Sequence, residues 1–335
     1  MKQIMLHGAN DWRLDDIPEP DPGPRDALVR IAACGICGTD TSYIHMGMTP
    51  GHPIPLGHEM AGTVEWLGSE VSGVAVGDKV VVRPSDGGSG PMGTGGPQGG
   101  LTPVLHVPEA ADGTRLYKVP EGLSLTTAAL AEPAAVGMQS VNQSGAKAGD
   151  KVVVFGCGPI GLFALATLAD RGVTDTVAVD LSPSRLELAR TVGAAHVLDP
   201  TEVDVWDELK RIHGTSPFMF GPTPATDIFI EASGADSVIG DVLQNGRVDG
   251  TLVIVALHYR PVKTNYVNLL MKQFTVRGSM EYPERFEDAI ELLTRRDLSH
   301  LITHTLPLEE FGAGLEVLEG SKDCGKVMIT IGHAE

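Results

Sequence analysis

The sequence predicts an α/β protein with two domains, one rich in β-strands and one built on a doubly wound parallel sheet. At 335 residues the chain exceeds the roughly 250 residues that one hydrophobic core usually holds. In its first third, short alternating apolar runs are separated by Gly, Pro and Asp turn residues. From about Thr126 onward, strand and helix patterns alternate, which is typical of a parallel sheet covered by helices.

The β-rich region is predicted from three runs. We expect strands at ALVRIAACG (27–35), AGTVEWLG (61–68) and DKVVVRP (78–84), because each run is short, largely apolar and bounded by turn residues. Patterns of helical period are rare in this part of the chain.

The parallel sheet is predicted from the region that follows. KVVVFG (151–156) leads into a helix through Ala169, and TVAVD (176–180) leads into a helix at 184–194. Two further strand patterns, IFIEAS and TLVIVAL, follow at similar intervals.

A last segment contains helical runs at 285–296 and 308–320 and a strand at 325–331. Because it is too short to fold alone, we expect it to complete the first domain. The predicted domains are 1–133 with 282–335, and 134–281.

Charge and composition narrow the possible partners. The formal net charge of −18 disfavours nucleic acid and anionic membranes, because both require a basic face. No apolar run approaches the roughly 18 residues that span a bilayer, and no basic stretch leads into an apolar one at the N-terminus. The four cysteines are too few and too scattered for a disulfide scaffold. We therefore expect a cytoplasmic protein with reduced thiols.

The segment GCGPIG lies between the strand KVVVF and an apolar helix, which is the context of a Rossmann dinucleotide-binding fold. The first glycine permits a tight turn, the second lets the backbone approach a pyrophosphate, and the third allows close packing of helix on strand. The alternative is that these glycines form a packing turn only. The residues expected to contact the cofactor are Gly156, Gly158, Pro159, Ile160 and Gly161.

Asp180 bears on which dinucleotide binds. It ends the next strand, 19 residues after Gly161, where a carboxylate accepts hydrogen bonds from the adenosine ribose. A 2′-phosphate would be repelled there, so we predict NAD rather than NADP. Arg185 keeps the alternative open, because a nearby guanidinium accommodates that phosphate. Cys157, within the loop, is interpreted as a small side chain that only fills space (a filler).

A thiol, an imidazole and two carboxylates are spaced in a way that predicts one active-site zinc. Three protein ligands and an open position are the arrangement of a catalytic zinc, since the vacant position takes water or substrate. The candidate ligands are Cys37 in CGICGTD, His58 and Glu59 in PLGHEMAG, and Glu132 in LAEPAAVG.

The two carboxylates leave alternatives open. Adjacent residues of an extended segment point to opposite sides, so His58 and Glu59 reach one metal only if the chain bends there. Glu132 precedes Pro133 at the first turn of a predicted helix, where an acid that only caps the helix is the other interpretation.

A zinc cluster upstream of a dinucleotide loop, in this order, resembles the zinc-dependent medium-chain alcohol dehydrogenases. The resemblance covers nearly the whole chain and includes CGICGTD, the segment at 57–80, GCGPIG with VDLSPSRLELARTVGA, and KVMITI. The glutamate of LAEPAAVG resembles the residue that the sorbitol, butanediol and threonine dehydrogenase branch has at this position, since liver-type relatives have cysteine there. The resemblance implies a GroES-like catalytic domain beside the Rossmann domain, and a homodimer or homotetramer.

The resemblance also implies a reaction and roles for individual residues. The reaction is the reversible, NAD-dependent oxidation of a secondary alcohol, diol or polyol to the ketone. Cys37 and His58 are implied as zinc ligands, and Glu59 as a ligand or as a neighbour that exchanges with water; Cys34 matches a position that does not ligate. The other implied roles are first proton acceptor for Thr39, orientation of the ligand histidine for Asp40 and substrate contact for Tyr43.

Two departures limit the resemblance. Many relatives relay the proton through a histidine where this chain has Ser42, so the relay must differ; His45 or His52 is a substitute, or each is a solvated surface residue. The structural zinc lobe of relatives should fall near 85–105, where this chain has no cysteine. We therefore predict one zinc per chain, for catalysis, and no structural zinc.

The segment that replaces the lobe, SDGGSGPMGTGGPQGG (85–100), is half glycine. It cannot bury enough apolar surface to offset its ordering entropy without outside contacts. It is interpreted either as a mobile loop or as a segment that covers the active-site mouth or joins subunits.

Other functions remain as alternatives. A zinc-free quinone or enone reductase of the same superfamily would lack the Cys and GHE motifs, and a non-catalytic dinucleotide-binding protein would have lost Cys37 or His58. The chain retains all of them.

Ligands lie at the carboxyl ends of parallel strands. The predicted neighbours of the nicotinamide are therefore Ser233, Gly234, Leu257, His258, Ser279 and Met280.

Overall fold

The computed structural model describes residues 1–85, 90–320 and 324–332. It divides into two compact units, Met1–Glu132 with Phe286–Glu335, and Pro133–Arg285. No helix within the described ranges is long and apolar enough to cross a membrane.

The N-terminal part of the first unit consists mainly of strands. They are β1 (Lys2–Gly8), β2 (Asp11–Asp16), β3 (Ala27–Gly35), β4 (Ile54–Pro55), β5 (Glu59–Leu67), β6 (Lys79–Val82), β7 (Val104–Val107) and β8 (Leu116–Lys118). Its helices are α1 (Gly38–Met46) and α2 (Leu125–Ala128), with a 3-10 turn at Ala110–Asp112.

The chain then alternates between helices and strands. The helices are α3 (Ala131–Ser144), α4 (Pro159–Asp170), α5 (Pro183–Val192), α6 (Val205–His213), α7 (Asp236–Asn245) and α8 (Tyr266–Lys272). The strands are β9 (Lys151–Phe155), β10 (Asp175–Val179), β11 (His196–Leu198), β12 (Thr215–Ser216), β13 (Thr223–Pro224), β14 (Ile228–Glu231), β15 (Thr251–Ile254) and β16 (Thr275–Gly278).

The C-terminal segment returns to the first unit. Its elements are α9 (Glu287–Arg295), β17 (Ile302–Pro307), α10 (Phe311–Gly320) and β18 (Lys326–Thr330), with 3-10 turns at Ser299–Leu301 and Leu308–Glu310.

Strand pairing in the first unit brings distant motifs together. Over the described residues, its main sheet has the order β17-β18-β3-β5-β6-β8, with β7 also pairing with β3, and a smaller sheet has the order β2-β1-β4. In the antiparallel β3–β5 pair, Gly35 lies opposite Glu59. β18 pairs with the other edge of β3, where Met328 lies opposite Gly35. The CGICGTD, GHE and C-terminal KVMITI segments therefore meet at one end of β3.

The second unit is a doubly wound sheet. Its described parallel strands have the order β11-β10-β9-β14-β15-β16. From β9 the chain adds strands first toward one edge of the sheet and then, starting with β14, toward the other edge. Val153, Phe229 and Leu252, on three adjacent strands, are fully buried in its core. In such a sheet ligands bind where the strand order reverses, outside the carboxyl ends of the strands. The predicted fold class, a β-rich unit and a Rossmann-type parallel sheet, is confirmed.

One predicted strand is shorter than its apolar run suggests. β15 ends at Ile254, although the run TLVIVAL continues. The backbone amides of Val255 and Ala256 both donate to the carbonyl oxygen of Glu231, at 3.0 and 3.2 Å. The Val255 amide makes the next bond of the parallel ladder, whereas the Ala256 amide donates to the same oxygen, and the regular strand pairing ends there.

Candidate metal centre and dinucleotide loop

Cys37, His58 and Glu59 meet in the first unit. Each offers one ligand atom, and these three atoms lie within 4.8 Å of one another. Cys37 is the N-cap residue of α1, and Glu59 begins β5. Gly57 has a φ of 90°, a conformation that glycine adopts readily, and it supplies the bend just before His58. The adjacent His58 and Glu59 therefore reach the same point.

The two cysteines of CGICGTD have different surroundings. The Cys37 backbone N–H donates to Asp40 Oδ2 at 2.8 Å, and its Sγ lies 3.7 Å from Thr39 Oγ1. Cys34 is fully buried, and burial, reinforced by the charges of Asp40 and Glu59, raises its pKa well above the ordinary value. Cys34 is thus a buried protonated thiol outside the cluster.

The electrostatics at His58 fit a cation. Burial alone would lower the pKa of His58, but the adjacent Cys37 sulfur and Asp40 carboxylate raise it well above its ordinary value. The Glu132 carboxyl contributes in the same direction. These groups together favour positive charge at this point.

Glu59 contributes an unsatisfied acceptor to the cluster. Its Oε1 accepts a hydrogen bond from Lys326 Nζ, while its Oε2 is buried and accepts none from the described residues. Lys326 Nζ also donates to the Ile36 carbonyl at 2.8 Å. Burial alone would lower the pKa of Lys326, but the charges of Glu59 and Cys37 raise it. A thiol, an imidazole and a buried carboxylate oxygen without a partner match the ligands that zinc prefers.

Glu132 lies at the start of α3 and is 6% exposed. It is not among the three residues whose ligand atoms converge. Its charge still raises the pKa of both His58 and Lys326, so the carboxyl belongs to the same electrostatic environment. Whether it ligates a metal stays a prediction.

Three further predicted residues of this region lie on α1. Tyr43 is half-buried and faces Gly95, where an added Cβ would lie 2.8 Å from the phenolic oxygen. Ser42 Oγ donates to the Gly38 carbonyl at 2.9 Å. His45 is exposed and is held by Asn10 at 2.9 Å and by Glu319 at 2.8 Å. These contacts favour the interpretation of His45 as a surface residue.

The glycine loop in the second unit has the predicted shape. Gly156 has a φ of 93°, and a Cβ there would lie 2.7 Å from the Ser233 backbone. A Cβ on Gly161 would overlap the Gly156 carbonyl oxygen. A Cβ on Gly158, the N-cap residue of α4, meets no atom of the described residues within 4 Å. Two glycines therefore permit close packing, and the third leaves an open approach to the helix N-terminus, where Pro159 and Ile160 follow.

Asp180 follows β10 and contacts the same loop. Its Oδ2 accepts from the Cys157 N–H at 2.6 Å, and its Oδ1 accepts from the Ser182 N–H at 2.9 Å. Ser182 caps α5 by accepting from the Arg185 N–H at 3.2 Å. Burial and the Asp180 charge raise the pKa of Cys157. This thiol is therefore a poor nucleophile, in keeping with its interpretation as a filler.

Glu231, which ends β14, organises the loops predicted to adjoin the nicotinamide. It is fully buried, and its Oε1 accepts from Ser233 N and Gly234 N, each at 2.8 Å. Its Oε2 lies 2.9 Å from His258 Nε2. Leu257 and Met280 are 51% and 73% exposed at the same edge of the sheet, and Ser279 is buried there.

Sequence reasoning did not single out three residues that the structure places at these sites. They are Glu231, Lys326 and Thr94, whose hydroxyl lies 3.3 Å from His58 Nδ1. Glu231 carried a signal, since an acid ends the apolar strand IFIE. Lys326 and Thr94 carried none, because a lysine opening a strand and a threonine between glycines are common on protein surfaces.

Comparison with known proteins places the chain in a family. Residues 23–121 match the Alcohol dehydrogenase GroES-like domain family, and residues 159–295 match the Zinc-binding dehydrogenase family. The chain is 31% identical to (R,R)-butanediol dehydrogenase of Bacillus subtilis, over 96% of this chain and 98% of the relative. It is 30% identical to sorbitol dehydrogenase of Bos taurus, over 95% and 92% respectively.

The fold agrees with these relatives. The crystal structure of 2R,3R-butanediol dehydrogenase from Bacillus subtilis superimposes with a TM-score of 0.87 at 30% identity, covering 98% of this chain and 99% of that one. The chain therefore belongs to the zinc-binding medium-chain dehydrogenase superfamily, with a GroES-like and a Rossmann domain.

Proposed function

We propose that the protein is an NAD- and zinc-dependent dehydrogenase that reversibly oxidises a secondary alcohol, vicinal diol or polyol to the ketone. One observation carries the proposal: the ligand atoms of Cys37, His58 and Glu59 converge within 4.8 Å. In addition, a buried oxygen of Glu59 has no partner among the described residues. Unsatisfied buried acceptors are costly and rare, so this oxygen fits a bound cation.

The metal would be held by Cys37 and His58, with Glu59 or Glu132 as the third protein ligand. Bound zinc supplies Lewis acidity toward an alcohol oxygen, and a bound nicotinamide supplies the acceptor for hydride. Thr39, with its hydroxyl 3.7 Å from Cys37 Sγ, would accept a hydrogen bond from the substrate hydroxyl and take that proton as it releases its own toward solvent. Lys326 holds Glu59 in place, and Tyr43 on α1 contacts the substrate.

The substrate class rests on the relatives. Butanediol is a vicinal diol and sorbitol is a polyol, and both relatives cover more than nine-tenths of this chain. The preference for NAD rests on the Asp180 carboxylate beside the glycine loop, and Arg185 is the residue that would oppose it. The cofactor contacts proposed in this unit are those of the glycine loop, Asp180, Arg185 and Leu257.

We also propose a single zinc per chain. The stretch 85–105 contains no cysteine, so the four-thiolate ligand set of a structural zinc is missing from the place where relatives carry it. The homodimer or homotetramer stays an expectation from the resemblance.

Zinc analysis and an activity screen on the purified protein test the proposal. We expect about one zinc per chain and NAD-dependent oxidation of 2,3-butanediol, sorbitol or another secondary alcohol, with NADP and threonine included in the screen. Removing the metal with a chelator should abolish activity, and zinc should restore it. A chain without zinc, inactive after zinc is added, contradicts the proposal. Activity on quinones or enones without metal would favour the zinc-free reductase instead.

A further inference from the structure

Residues 90–100 of the glycine-rich segment pack against the candidate metal centre. A Cβ on Gly93 would lie 2.5 Å from His58 Cβ and 2.6 Å from the Gly57 carbonyl oxygen. Gly100 N donates to that same carbonyl oxygen at 2.8 Å. Met92 is 2% exposed. The absence of side chains on the glycines therefore lets this backbone approach the metal ligands closely.

The approach places the Thr94 hydroxyl between Asp40 and His58. Thr94 Oγ1 donates to Asp40 Oδ1, accepts from the Gly57 N–H at 3.0 Å and lies 3.3 Å from His58 Nδ1. Asp40 Oδ1 itself lies 3.7 Å from His58 Nδ1, beyond hydrogen-bonding distance. The contact expected between Asp40 and the histidine is therefore made by a third residue.

Counting protons fixes the direction of these hydrogen bonds. A hydroxyl has one proton to donate and two lone pairs to accept with, whereas a carboxylate only accepts. The Thr94 hydroxyl donates its one proton to the carboxylate of Asp40, which is fully buried. The Thr94 oxygen must therefore accept from His58 Nδ1, so in the neutral imidazole Nδ1 carries the proton and Nε2 keeps the lone pair that a metal requires.

We propose that Thr94 is the positioning residue that fixes the tautomer and orientation of His58 for metal binding, and that Asp40 acts on His58 through Thr94. The inference rests on the proposed function in treating His58 as a zinc ligand. It gives residues 90–100 a definite role, which is to carry a hydroxyl to the metal centre.

Thr94→Val removes the hydroxyl and keeps the shape, while Thr94→Ser keeps the hydroxyl. Thr102→Val is the matched control, since Thr102 is 1% exposed in the same unit and its hydroxyl donates to the Lys2 carbonyl at 3.1 Å. Zinc affinity of the whole chain is measured by competition with a chelating dye. We expect a loss of roughly 10- to 100-fold in Thr94→Val, recovery in Thr94→Ser and no change in Thr102→Val. Unchanged zinc affinity in Thr94→Val overturns the proposal.

A second readout does not depend on zinc. In the metal-free chain, at a pH high enough to make the imidazole neutral, ¹⁵N spectra of labelled histidine show which His58 nitrogen keeps its proton. We expect Nδ1 in the wild type and in Thr94→Ser, and a mixture of tautomers in Thr94→Val. A wild-type proton on Nε2 overturns the inference. If the wild type binds no zinc but shows the Nδ1 proton, the proposed function fails while the role of Thr94 in fixing the tautomer stands.

Discussion

The ammonium group of Lys326 donates to the carboxylate of Glu59 in the interior of the first unit, where the two side chains are only 2% and 1% exposed. This contact uses one carboxylate oxygen and leaves the other without a partner among the described residues. The pairing thus holds Glu59 in a fixed orientation beside Cys37 and His58.

Lys326→Met should destabilise the metal-free chain by about 3 to 5 kcal/mol, because it leaves a buried carboxylate uncompensated. The double variant Lys326→Met with Glu59→Gln should lose clearly less than the sum of the two single changes, since it removes both charges. Urea unfolding in the presence of a chelator measures these differences. Simple additivity in the double variant would show that the pair carries no coupling.

Cys37→Ser should remove bound zinc and turnover, because serine is a poor zinc ligand where thiolate is expected. NADH binding, followed by cofactor fluorescence, should remain measurable. Cys34→Ser is the control, since Cys34 lies outside the cluster, and we expect it to keep zinc and activity even if its stability falls. Equal zinc loss in both variants would refute the assignment of Cys37 as the specific ligand.

Asp180→Asn should raise KM for NAD roughly tenfold, which corresponds to about 1.4 kcal/mol. The same change should lower KM for NADP, because the charge that repels a 2′-phosphate is gone. The control is Asp241→Asn on the exposed face of α7, which should change neither constant. Steady-state kinetics with both cofactors measure the effect. A wild-type enzyme that already prefers NADP would contradict our interpretation of Asp180.

Lys272 predicts a pH dependence of stability. It is 1% exposed, donates to the Gln244 carbonyl and lies 5.1 Å from the centre of the Phe218 ring. Burial lowers the pKa of Lys272 to about 8. Between this pH and the ordinary pKa of 10.5, the unfolded chain holds a proton that the folded chain has released, so folding becomes more favourable as pH rises.

The comparison with Lys272→Met isolates this contribution. The variant should be more stable than the wild type at pH 7, where the buried amine must be charged. Its advantage should shrink as pH rises from about 8 to about 10.5. Urea unfolding of both proteins across this range gives the difference. A difference that stays constant with pH would show that Lys272 titrates normally.

The sequence predicted the fold class and the four central strands in each of the two main sheet orders, β18-β3-β5-β6 and β10-β9-β14-β15, because these follow from local patterns. The run ALVRIAACG predicts β3 with its observed limits, and the strand, glycine loop and helix from KVVVF onward form as expected. The end of β15 was harder to predict, since it depends on the Glu231 carbonyl oxygen of the neighbouring strand accepting from the Ala256 amide as well as from the Val255 amide. Apolar patterns do not report such contacts.

By itself the sequence identified the β-rich and Rossmann domains, the dinucleotide loop and the candidate ligands Cys37, His58, Glu59 and Glu132. Each of these depends on residue types at short, fixed spacings. Only the tertiary structure decided that Lys326 pairs with Glu59 across 267 positions and that Thr94 reaches His58 across 36. Such contacts require the pairing of β18 with β3 and of β3 with β5, and the close approach of a glycine-rich backbone. These are long-range packing outcomes that leave no mark on the local sequence.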